Sequence, residues 1–173
     1  MQLDDFNTAV RRHQRRVFTL ARYLLSSRDE AEDVAQEVFV RMWRSGGTVT
    51  PEALEAWLLR VTRNACYDEL RRRRGLRQRL GAVAPDEALA VPSRAPDPEI
   101  LAVSSQIGRR LVAEIARLAE PQRSIVILRD VEGLSCREIG DVVGMTEGSV
   151  RVTLHRARQR LRDQLREVRH EPA

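Results

Sequence analysis

Four of the chain's seven prolines, Pro85, Pro92, Pro96 and Pro98, crowd into residues 76–105. Each lacks a backbone N–H and pushes its predecessor out of the helical region, so no helix can run through the stretch. The segment reads as a linker of about 25 residues, its ends able to lengthen the flanking helices. Charge divides the chain in the same places. Residues 1–75 carry 14 arginines against 11 acids, 76–105 carry 3 against 4, and 106–173 carry 13 against 10. The expected organisation is a compact N-terminal domain 1–75, a linker 76–105 and a compact C-terminal domain 106–173.

Each domain must close its core with few aromatic rings. Hydrophobic residues make up 42% of the 173, but Phe, Trp and Tyr only 4%. That mix suits small helical units built on Leu, Val and Ala better than sheets, so an all-α fold is expected. All 30 basic residues are arginine, for a net charge of +5. The plainest reading of the missing lysine is the coding bias of a GC-rich genome. The consequence is still physical, because a guanidinium makes planar, bidentate contacts to phosphate and guanine that an ammonium cannot.

Cys66 and Cys136 stand far apart, and with three scattered histidines they give no zinc-ligand spacing. They read as reduced core thiols. No phosphate loop, metal cluster or nucleophile–base pair is visible, so no catalytic activity, metal or cofactor is expected. The N-terminus lacks a leader pattern, and no apolar run approaches the roughly 18 residues of a membrane span. A soluble, cytoplasmic protein is the expectation.

Hydrophobic periodicity sets the helices. Val17, Leu20, Ala21, Leu24 and Leu25 share one face, which stops at Ser26-Ser27. A second helix, from about Asp29 to Arg44, turns Ala31, Val34, Ala35, Val38 and Met42 inward and Asp33, Gln36, Glu37 and Arg41 outward. Gly46-Gly47 ends it. Thr50 caps a third helix with Pro51 in its first turn, where a missing N–H costs nothing. That helix buries Leu54, Trp57, Leu58, Val61 and Ala65 and ends at Arg71-Arg72-Arg73-Arg74-Gly75. In the C-terminal domain a helix runs through Leu111, Ile115 and Leu118 to a break at Glu120-Pro121. A short helix follows, with Ile125, Val126, Leu128 and Val131 inward and Gly133 at its end.

Residues 135–158 have the grammar of a helix-turn-helix. Ser135 and Glu138 match a capping box, in which the serine takes the N3 amide and the glutamate returns to the cap. The short helix they start turns Ile139, Val142 and Val143 inward and stops at Gly144. Gly140 in its middle costs about 1 kcal/mol relative to alanine, which close approach of the second helix would explain. Thr146 caps a long final helix with Val150, Leu154, Ala157 and Leu161 inward. Arg151, Val152, His155, Arg156 and Arg158 remain outside, near the end that enters the major groove in this motif.

The N-terminal domain offers two further faces. Asp33, Gln36 and Glu37 would repel phosphates; they form either an ordinary solvated face or a protein-binding one, the latter supported by Phe39, Val40 and Trp43 beside them. Trp57, Arg60, Arg63 and Asn64 could follow a phosphate backbone and unstacked bases. Trp57 taken alone reads as a core residue more readily than as a stacking platform. The Arg71–Arg74 run is favoured at a helix C-terminus by the dipole alone.

A family resemblance covers nearly all of the chain outside the linker. Ala31-Glu-Asp-Val-Ala-Gln-Glu-Val-Phe-Val-Arg-Met-Trp-Arg44 resembles the polymerase-binding helix of bacterial sigma factors of the extracytoplasmic-function (ECF) group. Trp57-Leu-Leu-Arg-Val-Thr-Arg-Asn-Ala-Cys-Tyr-Asp-Glu-Leu-Arg-Arg-Arg-Arg74 is similar to that group's minus-ten helix. Gly133-Leu-Ser-Cys-Arg-Glu-Ile-Gly140 and Gly148-Ser-Val-Arg-Val-Thr-Leu-His-Arg-Ala-Arg-Gln-Arg-Leu161 resemble its minus-thirty-five reader.

The resemblance implies a sigma factor that binds core RNA polymerase and directs promoter-specific transcription initiation. Asp33, Gln36, Glu37, Phe39 and Trp43 would grip the core polymerase, and the loop Ser45–Thr50 would receive a flipped minus-ten base. Trp57, Arg60, Arg63, Asn64 and Arg71 would hold the opening strand. Arg151, Val152, His155 and Arg156 would read minus-thirty-five base edges, with Thr146, Ser149 and Arg158 on phosphates. The linker would run toward the polymerase's RNA-exit path, and an anti-sigma factor, often membrane-linked, would hold the protein inactive. A stand-alone regulator that binds DNA without polymerase is the other class the sequence admits.

Overall fold

The computed structural model describes residues 2–79 and 106–167; the proline-rich stretch from 80 to 105 and the tail from 168 lie outside them. The chain divides into two compact units, Met1–Asp86 and Glu87–Ala173. All regular structure among the described residues is helical.

The N-terminal unit contains α1 (Leu3–Leu25), α2 (Arg28–Arg44) and α3 (Pro51–Arg79), each packed on the other two. Val17, Leu20, Ala21, Leu24 and Leu25 of α1 are fully buried, as their spacing requires. Ser26 ends the helix in a left-handed conformation at φ 55°, donating its backbone N–H to the Arg22 carbonyl at 2.9 Å.

Because α2 meets two neighbours, its buried face is wider than the single stripe read from the sequence. Phe39, expected on the outer apolar area, is turned into the core with Ala31, Val34, Val38 and Met42, while Ala35 is only half-buried. The same cause rotates α3. Leu58, Leu59, Thr62, Ala65, Cys66 and Tyr67 are buried, whereas Leu54, Trp57 and Val61 are only partly covered. Thr62 keeps its hydroxyl satisfied by donating to the Leu58 carbonyl at 2.7 Å. Arg16 pairs with Glu55 across α1 and α3, beside the buried His13. Gly75 does not stop α3, which continues to Arg79, past the end expected at the arginine run.

The C-terminal unit contains α4 (Gln106–Ala116), α5 (Gln122–Val126), α6 (Cys136–Val143) and α7 (Glu147–Glu167). The long α7 is its spine, touching α4, α5 and α6 through a face that includes Val150, Leu154, Ala157 and Leu161. Glu120 starts α5 by accepting from the Ser124 N–H at 3.1 Å and its hydroxyl at 2.7 Å.

α5 passes directly into a π turn, Ile127–Val131, whose wider winding lets the Glu132 N–H reach the Ile127 carbonyl at 3.1 Å. The extra residue per turn shifts the phase of the helix. Ile125 to Leu128 stay buried, but Val131, expected inward, is 38% exposed. Cys66 is buried, whereas Cys136, the first residue of α6, is only half-buried and not the core thiol expected. No described helix is long and apolar enough to cross a membrane.

Candidate nucleic-acid and protein interfaces

The helix-turn-helix assembles from local signals. Ser135 accepts from the Glu138 N–H at 3.2 Å, and the Glu138 carboxylate accepts from the Ser135 N–H at 2.7 Å, completing the capping box. Gly144 ends α6 at φ 74°, a left-handed turn that favours glycine. The Gly140 carbonyl accepts from both Gly144 N–H at 2.9 Å and Met145 N–H at 3.1 Å. The Met145 backbone therefore lies directly over Gly140, which explains the glycine. Thr146 then caps α7 by accepting from the Ser149 N–H at 3.2 Å and donating to the Ser149 hydroxyl at 2.9 Å.

Arg151, Val152, His155 and Arg156 all stand exposed on α7, Val152 at 52%. Thr146 and Ser149 are exposed at its start, although their hydroxyls are engaged with each other. Two carboxylates that the sequence reading did not single out complete this surface. Glu147 pairs with Arg151 one turn along, and Asp130 on the π turn pairs with Arg158. The i,i+4 spacing of Glu147 and Arg151 was a usable sequence signal. Nothing local connects Asp130 to Arg158.

Along α3, Trp57, Arg60, Asn64 and Arg71 recur at spacings that keep them on one side of the helix. Trp57 is half-exposed rather than core, and Arg60 and Asn64 are exposed. Arg63 lies with its guanidinium 5.4 Å from the Tyr67 ring centroid, a cation–π contact. The basic run is less uniform than its sequence. Arg71 pairs with Asp68, and Arg72 with Glu69 at 2.7 Å. Arg73, only 15% exposed, reaches Glu30 at the start of α2 and Glu69 at 3.4 Å, so it joins helices instead of facing outward.

On α2, Asp33, Gln36, Glu37, Val40 and Trp43 form one exposed stripe, polar at its start and apolar at its end. Trp43 is 45% exposed and meets Phe6 of α1 edge-on, with ring centroids 5.1 Å apart. Phe39 backs this stripe from inside the core. The loop Ser45–Thr50 opens with Gly46 and Gly47 at φ 63° and 85°.

A capped helix-turn-helix with a basic reading helix in one unit, and a separate acid–aromatic face in the other, define a modular helical DNA-binding protein. Residues 9–75 match the family model Sigma-70 region 2, and residues 108–161 match Sigma-70, region 4. The chain is 33% identical over 172 residues to the RNA polymerase sigma factor CarQ of Myxococcus xanthus, covering 98% of this chain and 94% of that protein. It is 39% identical over 163 residues to the ECF RNA polymerase sigma factor SigE of Mycolicibacterium smegmatis, covering 94% of this chain but only 62% of the length of SigE. Its fold matches that of the sigma factor RpoE of Bartonella quintana, solved in complex with the anti-sigma factor NepR, with a TM-score of 0.72 at 23% identity over 95% of this chain and 98% of that one. A second similar structure, CnrH in complex with the cytosolic domain of CnrY, gives a TM-score of 0.70 at 22% identity, over 96% of this chain and 90% of that one. The chain belongs to the ECF group of RNA polymerase sigma factors.

Proposed function

We propose that this chain binds core RNA polymerase in the cytoplasm and directs it to a particular set of promoters, with no catalytic activity of its own. The observation that carries this reading is the pairing of the exposed Asp33–Trp43 stripe with the capped reading helix, in the order of the matched sigma-70 regions. Asp33, Gln36, Glu37 and Trp43 grip the polymerase, and Phe39 supports them from behind. Trp57, Arg60, Arg63, Asn64 and Arg71 hold the opened minus-ten strand, with the Ser45–Thr50 loop taking a flipped base. Arg151, Val152, His155 and Arg156 read minus-thirty-five base edges, while Thr146, Ser149 and Arg158 contact phosphates. The similar sigma factor structure with NepR supports an anti-sigma partner for this chain as well.

The test reverses charge on α2. A variant with Asp33→Arg and Glu37→Arg, both exposed, is expected to lose core polymerase in a pull-down while keeping its own affinity for promoter DNA. Unchanged capture of core would favour a stand-alone DNA-binding regulator instead. Run-off transcription with purified core across the organism's promoters then identifies which ones the protein serves.

A further inference from the structure

The geometry points to a role for Asp130. Its carboxylate grips one edge of the Arg158 guanidinium: Nε donates to Oδ2 at 3.2 Å, and NH2 donates to Oδ1. A guanidinium carries five N–H donors in a rigid plane, so this side-on pair uses two and leaves three, including the NH1–NH2 end of the fork. Phosphate oxygens match that end in the same bidentate way.

The carboxylate is mounted on a held turn. The Glu132 N–H bonds the Ile127 carbonyl at 3.1 Å, the Leu134 N–H bonds the Leu128 carbonyl at 3.0 Å, and Arg129 NH1 bonds the Leu134 carbonyl at 2.7 Å. The π winding that exposes Val131 is the same winding that carries Asp130 to α7. Both side chains remain open to solvent, Arg158 at 47% and Asp130 at 37%.

We propose that Asp130 is a positioning residue for DNA binding: it fixes the plane of Arg158 so that the free end of the guanidinium meets one particular phosphate of the upstream promoter element. This rests on the reading that α7 docks on promoter DNA. An exposed arginine without such a partner loses its side-chain freedom on binding, a penalty of roughly two- to tenfold in affinity. A carboxylate close to the duplex could instead act as a competitor, repelling phosphate and occupying the arginine. The two roles predict different outcomes.

The experiment uses holoenzyme assembled from the full chain and core polymerase, with promoter duplexes carrying one neutral methylphosphonate at a time across the upstream element. Besides any losses at the phosphates that Thr146 and Ser149 meet, anisotropy titrations with wild-type protein are expected to show about a tenfold loss at the one position that Arg158 meets, the cost of a charge-assisted hydrogen bond. Arg158→Ala should abolish that single-position loss. Asp130→Ala should reduce it to about twofold and spread it over neighbouring phosphates, because Arg158 then samples several. Asp130→Asn, which keeps the shape and one acceptor oxygen, should fall between them and controls for folding. Asp130→Ala with the wild-type positional loss intact, or with tighter binding at every position, overturns the assignment. So does a wild-type holoenzyme with no phosphate sensitive to Arg158→Ala, although the promoter-binding reading would survive. Only a holoenzyme that fails to bind the promoter at all removes that reading too.

Discussion

A methyl group at Gly140 would lie 2.5 Å from the Met145 carbonyl oxygen, closer than a real carbon–oxygen contact. The obstacle is backbone, so it cannot swing aside as a side chain would. Gly140→Ala gains about 1 kcal/mol of helix propensity. Against that stand overpacking costs of about 1–3 kcal/mol and strain on the two N–H groups bonded to the Gly140 carbonyl. The expected outcome is a net loss of about 1 kcal/mol or more, read as a lower urea midpoint for the C-terminal unit. An unchanged midpoint would mean the turn can open without cost. Gly140 was visible in the sequence as an anomaly, a glycine inside a short helix. What pressed on it, the turn and not the side of the next helix, was not.

Helix faces are where sequence periodicity and packing part. Each helix of the N-terminal unit touches two others, so its buried surface spans more than one stripe. That is why Phe39 faces in while Trp43 faces out, and why Trp57 is only half-buried. At the contact of α1 with α3, His13 is buried, with its Nδ1 3.9 Å from Glu55 Oε2. Burial first, then the charges of Arg12 and Arg16, hold its pKa below the ordinary 6.5. Glu55 does not reverse this, because Arg16 already occupies that carboxylate.

The neutral imidazole is therefore the form that suits the fold. As pH falls, the unfolded chain takes up the proton first. The stability from neutral His13 is complete above 6.5 and is lost as pH drops from there toward the lowered folded value. Urea midpoints of the wild type should fall between about pH 7 and pH 5.5, and His13→Gln should lack that component. Equal slopes for the two proteins would exclude His13 as the cause.

At the scale of the molecule, the proposed function divides the work between two small units, so that neither would need to bind tightly by itself. Many of the arginines that face outward are already paired: Arg71 with Asp68, Arg72 with Glu69, Arg151 with Glu147 and Arg158 with Asp130. On the proposed reading, those that meet DNA would have to exchange or share these partners with phosphate. If α7 meets phosphates through about four arginines, log affinity of the full chain should fall with log salt at a slope of roughly −3 to −4. Contacts from the uncharged Thr146 and Ser149 would not add to that slope. A flat salt dependence would take α7 off the duplex.

The sequence by itself determined the helices, the caps at Ser135 and Thr146, the glycine turn and the basic outer face of the last helix. These are local properties, decided by residues within a turn or two of each other. The tertiary structure alone decided which residues those faces finally offer. Arg73 is drawn to Glu30, Phe39 is taken into the core, and Asp130 is carried by a π turn onto Arg158. Each outcome depends on how helices distant in sequence pack together, and hydrophobic periodicity along one helix does not encode where its neighbours will lie.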